Sequence, residues 1–275
     1  MGFRIQNNIE ALNAQRNLMV SSTSMAKSLQ RLSSGYRINS AADDAAGLAI
    51  SQQFRADIAS YKVASQNVSE ANALLQVAEG AMDQIGNILT RLKELATQAA
   101  SANAGANIAK INAEATTLIA EMDRISSSTK YANSVLLNGS FTAATFQVGT
   151  SSATYDQISL SLGTVSSAAL GLSSFSLSSA TFAQAGLDTL NTAISTLSDR
   201  RGDVGAAQNR LSYANANLSI TIENYTAAES TIRDVNMASE MTNFTKNQIL
   251  VQAGTAMLAQ ANMAPQLVLS LFGNG

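Results

Sequence analysis

Residues 54–99 read FRADIASYKVASQNVSEANALLQVAEGAMDQIGNILTRLKELATQA, a segment with a strict seven-residue repeat. One heptad row contains Phe54, Tyr61, Val68, Leu75, Met82, Leu89 and Ala96, and a second row contains Asp57, Ala64, Ala71, Ala78, Ile85, Leu92 and Ala99. Beyond Asp57 neither row carries a charge, and an apolar 3.5-residue period is typical of a coiled-coil seam. At 1.5 Å per residue the segment predicts a helix roughly 70 Å long.

A second heptad segment, in the second half of the chain, can pair with the first. Its core row contains Leu190, Leu197, Val204, Leu211, Leu218, Tyr225 and Ile232. The neighbouring row starts with Leu187 and Ile194 and continues with Arg201, Gln208, Asn215, Ile222 and Glu229. Polar side chains beside a seam fix its register or face another surface. We therefore interpret this row as partly intermolecular.

The composition excludes several classes of function. Only 5% of the 275 residues are aromatic and Trp is absent, which favours thin, alanine-lined helical packing over a thick core. A net charge of −2 without a basic block argues against nucleic-acid binding, and the absence of a long apolar run argues against a membrane span. Because His and Cys are also absent, we predict no catalytic, cofactor-binding or metal-binding residue and no enzymatic activity.

Each end of the chain is predicted to be a single amphipathic helix. The first carries the stripe Ile5, Ile9, Leu12, Met19, Ala26, Leu29 and Leu32, and ends at Ser33-Ser34-Gly35. The last carries Met241, Phe244, Leu250, Met257, Ala261, Val268 and Leu271, with Pro265 able to bend it. Neither stripe has a complete local core. We expect each to pack against the other end and then against copies of the same chain.

The middle of the chain adds a third helix and a small β-region. Asp43 or Asp44 can cap the first long helix, and an apolar 3/4 pattern over 108–125 predicts a helix that returns antiparallel after a short connector at 101–105. Apolar residues alternate at 146–148 and at 158–162, as in a β-hairpin. The predicted fold is mainly α: a long antiparallel coiled-coil helical bundle with a small β-hairpin region at about 131–180 and paired N- and C-terminal helices.

Several segments match a known family. Residues 32–50 read LSSGYRINSAADDAAGLAI, and further segments read RLKELA at 91–96, FQVG at 146–149, QNRL at 208–211 and APQLVLSL at 264–271. These segments closely resemble the signatures of bacterial flagellin at both ends of the chain and through most of its middle. The first and the last are long enough to be highly specific.

The resemblance implies a secreted filament subunit that is exported unfolded by the flagellar type III apparatus and assembled at the distal tip for swimming motility. It implies that 1–33 and 240–275 form an inner tube, that 34–47 and 233–239 form a connecting spoke, and that 48–232 form an outer helical domain without large variable additions. The expected partners are copies of the chain itself, an export chaperone, the filament cap and the hook-filament junction proteins. The residues expected to carry polymerisation are Ile5, Ile9, Leu12, Leu29, Leu32, Met257, Val268 and Leu271.

A Toll-like innate immune receptor recognises some flagellins through an arginine, a leucine and a glutamate. The resemblance places these at Arg91, Leu95 and Glu114. Arg91 and Leu95 lie one helical turn apart, just off the two core rows, so the same positions also suit flanking residues or contacts between subunits.

Two other interpretations remain open at this point. A hook-filament junction protein would share the terminal signatures but would not grow long filaments alone. A chemoreceptor-like signalling rod also has alanine-rich heptads and few aromatic residues. That rod predicts uninterrupted helices up to a hairpin tip, which the strand-like segment at 146–162 disfavours.

Overall fold

The computed structural model describes residues 7–272, and their side chains except those of Asn103, Ala104, Ala106 and residues 264–272. Within that range the helices are α1 (Ile9–Ser34), α2 (Ala45–Ala100), α3 (Ile108–Ser128), α4 (Ala180–Arg233) and α5 (Met237–Phe272), and the strands are β1 (Lys130–Tyr131), β2 (Ser134–Val135), β3 (Ala144–Gln147) and β4 (Gln157–Leu160). The chain divides into two compact units, here called unit 1 (Met1–Ala56 with Tyr225–Gly275) and unit 2 (Asp57–Asn224).

The core of unit 2 is built from the heptad rows. In α2 the buried members are Ala64, Val68, Ala71, Leu75, Ala78, Met82, Ile85, Leu89, Leu92, Ala96 and Ala99, and in α4 they are Leu190, Leu197, Val204, Leu211 and Leu218. Ser65 donates a hydrogen bond to Asn215 at 2.9 Å, and Glu79, further along α2, accepts from Arg201, which lies earlier in α4. The two helices therefore run antiparallel, and the predicted helical bundle is confirmed.

A third helix and a hairpin complete this unit. Arg91 of α2 pairs with Glu114 of α3, so α3 returns antiparallel after a 3₁₀ segment at Ala102–Asn107. β3 and β4 pair antiparallel with Phe146 opposite Ile158, which confirms the predicted hairpin. A helical rod without strands is thereby excluded, and with it the chemoreceptor-like interpretation.

A second, smaller hairpin was not predicted. β1 and β2 are joined by Ala132 and Asn133, whose φ angles are 45° and 70°. Two successive residues with positive φ produce a hairpin turn whose twist matches that of the flanking strands. Asparagine tolerates this conformation better than alanine does, and no glycine marks the turn.

The serine-rich segment between β4 and α4 is held by side chains of α3. Asp123 accepts hydrogen bonds at 2.7 Å from both the backbone N–H and the hydroxyl of Ser167, and Asn112 accepts from the backbone N–H of Leu177 at 2.7 Å. Val165, Leu170, Leu172 and Leu177 are buried in the core of unit 2. The segment is irregular in backbone but fixed in place.

In unit 1 the residues after α1 and the residues after α4 are joined by main-chain hydrogen bonds. Gly35 ends α1 with φ 76°, and its carbonyl accepts from the N–H of Val235 at 3.0 Å. Arg37 donates from its backbone to the Arg233 carbonyl at 2.7 Å, and its guanidinium donates to the Ile232 carbonyl at 2.7 Å. A cation near the last carbonyls of a helix satisfies orphan acceptors and complements the helix dipole.

The start of α2 is capped as the sequence indicated. Asp44 accepts a hydrogen bond from the Gly47 N–H at 2.9 Å, which satisfies one of the unpaired donors of the first turn. Asp43 has a different role, because it accepts from the hydroxyl and the N–H of Ser40, each at 3.0 Å. The two adjacent carboxylates thus close a loop and begin a helix.

Candidate assembly surfaces

The pairing of α1 with α5 is the feature of unit 1 that bears most directly on assembly. Asn8 donates to the Ala261 carbonyl at 2.8 Å, Leu18 lies against Gly254, and Arg31 lies 3.9 Å from Glu240. These contacts run in opposite directions along the two helices. The predicted pairing of the terminal helices is therefore confirmed, and it is antiparallel.

The seam between α1 and α5 follows a heptad spacing, and many of its positions hold small or polar residues. In α1 the less exposed positions include Ala11, Ala14, Leu18, Ser21, Met25, Ser28 and Leu32; in α5 they are Glu240, Phe244, Asn247, Val251, Gly254, Leu258 and Ala261. Small and polar residues at seam positions contribute little apolar burial, and polar ones specify register at a cost in stability. The pair is thus expected to be weak by itself.

Gly254 lies close to Leu18 across this seam. A Cβ at this position would lie 3.1 Å from Leu18 Cδ1 and 3.8 Å from the Leu18 Cα. A side chain at position 254 would therefore require Leu18 to shift by a few tenths of an ångström. Glu240 is 7% exposed near one end of the seam, where Arg31 provides its opposite charge.

Among the described side chains of the two helices, most large apolar residues lie outside the seam. The exposed large apolar residues in α1 are Ile9, Leu12, Met19, Val20 and Leu29, and those described in α5 are Met237, Met241, Ile249, Leu250, Met257 and Met263. We call these residues the outer apolar surface of unit 1. So many exposed large apolar residues on two helices are characteristic of a surface that another protein covers.

This arrangement corrects the expectation that each stripe packs first against the other end. Leu32 does face the seam, but Ile9, Leu12, Leu29 and Met257 are exposed on the outer apolar surface. The reason is that many seam positions are occupied by alanine, serine or glycine, which leaves these four bulky residues outside it. Ile5 lies outside the described residues, as do the side chains of Val268 and Leu271.

The polar row of α4 is satisfied largely within the chain, which corrects its interpretation as partly intermolecular at two positions. Arg201 donates to Glu79 and lies 3.3 Å from Asp83, and Asn215 accepts from Ser65. These partners all lie on α2. A neighbouring subunit is not needed to explain why Arg201 and Asn215 are polar.

The three residues suggested for receptor recognition do not form a common surface. Arg91 donates from Nε and Nη2 to Glu114 Oε1 at 3.0 and 2.8 Å, and from Nη1 to Glu94 at 2.9 Å. Hydrogen bonds to Glu94 and then Glu114 raise the pKa of the Arg91 guanidinium. Leu95, in contrast, is only 2% exposed and packs in the core of unit 2. Leu95 is therefore not available at the surface of unit 2, because α2 buries a wider face than its two heptad rows.

The described residues contain no group of acidic side chains arranged to hold a metal ion. None of the helices described is long and apolar enough to cross a bilayer.

Comparisons with known proteins identify the family. The sequence profile of the bacterial flagellin N-terminal helical region matches residues 5–142, and that of the bacterial flagellin C-terminal helical region matches residues 187–272. This chain belongs to the bacterial flagellin family. The matched regions include all of α1, α2 and α5, and α4 from residue 187 onward.

Individual flagellins are similar over almost the whole chain. A flagellin of Halalkalibacterium halodurans is 41% identical over 97% of this chain and 98% of its own length. A flagellar filament 33 kDa core protein of Treponema phagedenis is 40% identical over 97% of this chain and 99% of its own. The crystal structure of Bacillus cereus flagellin matches with a TM-score of 0.50 at 27% identity, over 56% of this chain and 88% of that one.

Proposed function

We propose that this chain is the structural subunit of a bacterial flagellar filament, and that neighbouring copies cover the outer apolar surface of unit 1. Members of its family are structural filament proteins rather than enzymes, and their place is the extracellular flagellar filament used in swimming. The observation that supports the mechanism is the exposure of Ile9, Leu12, Ile249 and Leu250 beside a weak seam. Covering such surface is favourable by about 25 cal/mol for each Å² removed from water.

The proposed contact joins different surfaces of successive copies. A contact between different surfaces of successive copies generates an open helical polymer when its rotation does not close into a ring. We propose that 1–33 and 240–275 form the inner tube of that polymer, 34–47 and 233–239 the connecting spoke, and 48–232 the surrounding layer. The thin seam of α1 with α5 would leave the inner tube to be stabilised chiefly by contacts between subunits.

Export and handling involve further proteins. We propose export of the unfolded chain by the flagellar type III apparatus, with an export chaperone, the filament cap and the hook-filament junction proteins as partners. The absence of cysteine supports this route, because a disulfide would obstruct threading of an unfolded chain. The exposed apolar residues of α5 offer a surface that a chaperone would need to shield before export.

A Toll-like innate immune receptor is a further candidate partner. Arg91 and Glu114 support the proposal, because both are about half exposed. Their mutual ion pair would have to be shared or exchanged on binding, and Leu95 would contribute only by supporting α2. The affinity of the receptor ectodomain for the wild type and for Arg91→Ala tests this partner. Equal affinity for the two proteins would contradict the proposal.

The simplest test of the proposed function removes either terminal helix. Truncations lacking residues 1–30 or 245–275 should keep a soluble helical core and form no filaments after seeding, as viewed by electron microscopy. Normal filaments from either truncation would contradict the mechanism. Growth of long filaments by the untruncated protein alone also separates a filament subunit from a hook-filament junction protein.

Single substitutions test the outer apolar surface more sharply. Leu12→Glu places a charge on that surface, whereas Gln15→Glu adds the same charge to a side chain of the same helix that is already polar and exposed. Ile249→Glu and Gln248→Glu make a second matched pair on α5. We expect the two substitutions at apolar positions to abolish seeded growth and their controls to retain it, with unchanged helical content in all four monomers. Equal growth within both pairs would show that the surface is not covered.

A further inference from the structure

The methionines of this chain are divided between two environments. Met82 and Met122 are fully buried in the core of unit 2, and Met25 is half-buried in the seam of α1 with α5. The remaining described methionines, here called the exposed methionine set, are Met19, Met237, Met241, Met257 and Met263. Each is between 50% and 71% exposed, and all lie on α1 or α5. The thioethers that solvent can reach are thus concentrated on the outer apolar surface.

We propose that the exposed methionine set is an oxidation site at which conversion of the thioethers to sulfoxides blocks self-assembly of the free subunit. This inference rests on the proposed function, because it requires neighbouring copies to cover the outer apolar surface. Its reactive partner is a two-electron oxidant of the peroxide class. Its effect is reversible, because methionine sulfoxide is a substrate of dedicated reductases.

The chemical step is balanced by the oxidant alone. The thioether sulfur attacks one oxygen of hydrogen peroxide, an S–O bond forms as the O–O bond breaks, and one water molecule leaves. Sulfur is oxidised by two electrons and the peroxide is reduced by two. Reversal requires a reductase and a dithiol. The dithiol reduces the sulfoxide to the thioether, one water molecule is released, and the dithiol is oxidised to a disulfide.

Oxidation changes the property on which the surface depends. Methionine is flexible, polarizable and apolar, so it adapts to the contours of a partner, whereas its sulfoxide is polar and accepts hydrogen bonds. A sulfoxide that a neighbouring subunit covers must lose its hydration. Full burial of one apolar side chain of this size changes an equilibrium constant by at least about tenfold. One oxidised site under a subunit contact should therefore raise the critical concentration for filament growth by about tenfold or more.

The exposure of these methionines predicts that the free subunit is oxidised more readily than the filament. In the free subunit the exposed methionine set is open to solvent, whereas in the filament it would be covered by neighbouring copies. Oxidant should therefore act on subunits that await incorporation and spare those already assembled. Met82 and Met122 provide an internal standard, because they are buried in either state.

The test treats purified monomer and preformed filaments with hydrogen peroxide and locates the added oxygen by peptide mass spectrometry. We expect oxygen at the exposed methionine set in the monomer, little there in the filament, and none at Met82 or Met122 in either. Treated monomer should show a critical concentration raised at least about tenfold, restored by methionine sulfoxide reductases of both stereospecificities. Equal oxidation of the set in monomer and filament, or unimpaired growth of oxidised monomer, would overturn the inference.

A variant with all five exposed methionines replaced by leucine separates this site from the rest of the chain. We expect it to assemble before and after peroxide treatment. If it assembles but remains sensitive to peroxide, the responsible group lies elsewhere and the inference fails. If the variant does not assemble, the inference is tested by whether reductase treatment restores filament growth of the oxidised wild type. Failure to restore growth overturns the inference. Untreated wild type that forms no filaments would instead contradict the proposed function.

Discussion

Arg201 of α4 donates two hydrogen bonds to one oxygen of Glu79 on α2, from Nε at 2.9 Å and from Nη2 at 2.7 Å. The same guanidinium lies 3.3 Å from Asp83. Hydrogen bonding to Glu79 is the main reason that the pKa of Arg201 lies above its ordinary value. Because the pair joins two antiparallel helices at one level, it specifies their register, as polar groups beside a helical seam do elsewhere.

The energetic value of this pair should be small but measurable. About a third of each side chain is exposed, so solvent screens the interaction. A double-mutant cycle of Arg201→Ala and Glu79→Ala should give a coupling free energy of about 0.5–1 kcal/mol in urea denaturation. The coupling should fall at high salt. A coupling near zero at low salt would show that the hydrogen bonds do not fix the two helices.

Replacing Gly254 by a larger residue should be harmful, whereas replacing Gly202 should be stabilising. At Gly254, Gly254→Leu forces α1 away and should prevent filament growth, because a Cβ alone already lies 3.1 Å from Leu18. At Gly202 nothing lies within 4 Å, and Gly202→Ala should raise the free energy of unfolding by about 0.5–1 kcal/mol. Electron microscopy and urea denaturation measure the two outcomes. Normal filaments from Gly254→Leu would show that the close approach is dispensable.

Leu95 should behave as a core residue. Because its side chain is 2% exposed, Leu95→Ala should lower the free energy of unfolding by about 2–5 kcal/mol through lost burial and the cavity left behind. Val63→Ala on the exposed side of the same helix should change stability by less than about 1 kcal/mol. Thermal denaturation followed by circular dichroism makes the comparison. A loss of stability in Leu95→Ala as small as that in Val63→Ala would contradict the burial of Leu95.

The loop before α2 should be sensitive to acid through Asp43. Hydrogen bonds from the Ser40 hydroxyl, the Ser40 N–H and the Asn39 N–H hold the pKa of the Asp43 carboxyl below its ordinary value. Its stabilising contribution is therefore complete above the unfolded pKa of about 3.9 and is lost as the pH falls through the lower folded value. Asp43→Asn should be less stable than wild type at neutral pH, and the difference should vanish in strong acid. Carboxyl chemical shifts measured by NMR should give the lowered pKa directly; an ordinary value would refute the assignment.

The long helices could be predicted from the sequence because their signal is local and repeated. Every heptad from Val68 to Ala96 restates the same period, and Gly35 and Asp44 mark helix ends by chemistry that operates within one turn. The β3–β4 hairpin was found for the same reason, since Phe146 and Ile158 lie in alternating patterns on either side of a short loop.

Features that depend on distant residues could not be predicted in this way. The serine-rich segment before α4 is positioned by Asp123 and Asn112 of α3, which no local pattern connects to it. The seam of α1 was missed because Ala14 is small and Ser28 is polar, so their row resembles a solvent-facing one. Leu95 lies off both heptad rows, and it is buried because more than one element packs against α2.

The most direct test is hydrogen exchange of the backbone amides of α1 and α5, compared between the monomer and the filament. Amide protection reports local opening, and a thin seam with its bulky residues outside should open readily. We expect rapid exchange over residues 9–34 and 237–272 in the monomer and strong protection in the filament, while the core of α2 is protected in both. Equal and strong protection of both terminal helices in a monomer that does not assemble would contradict the conclusion that neighbouring copies complete their packing.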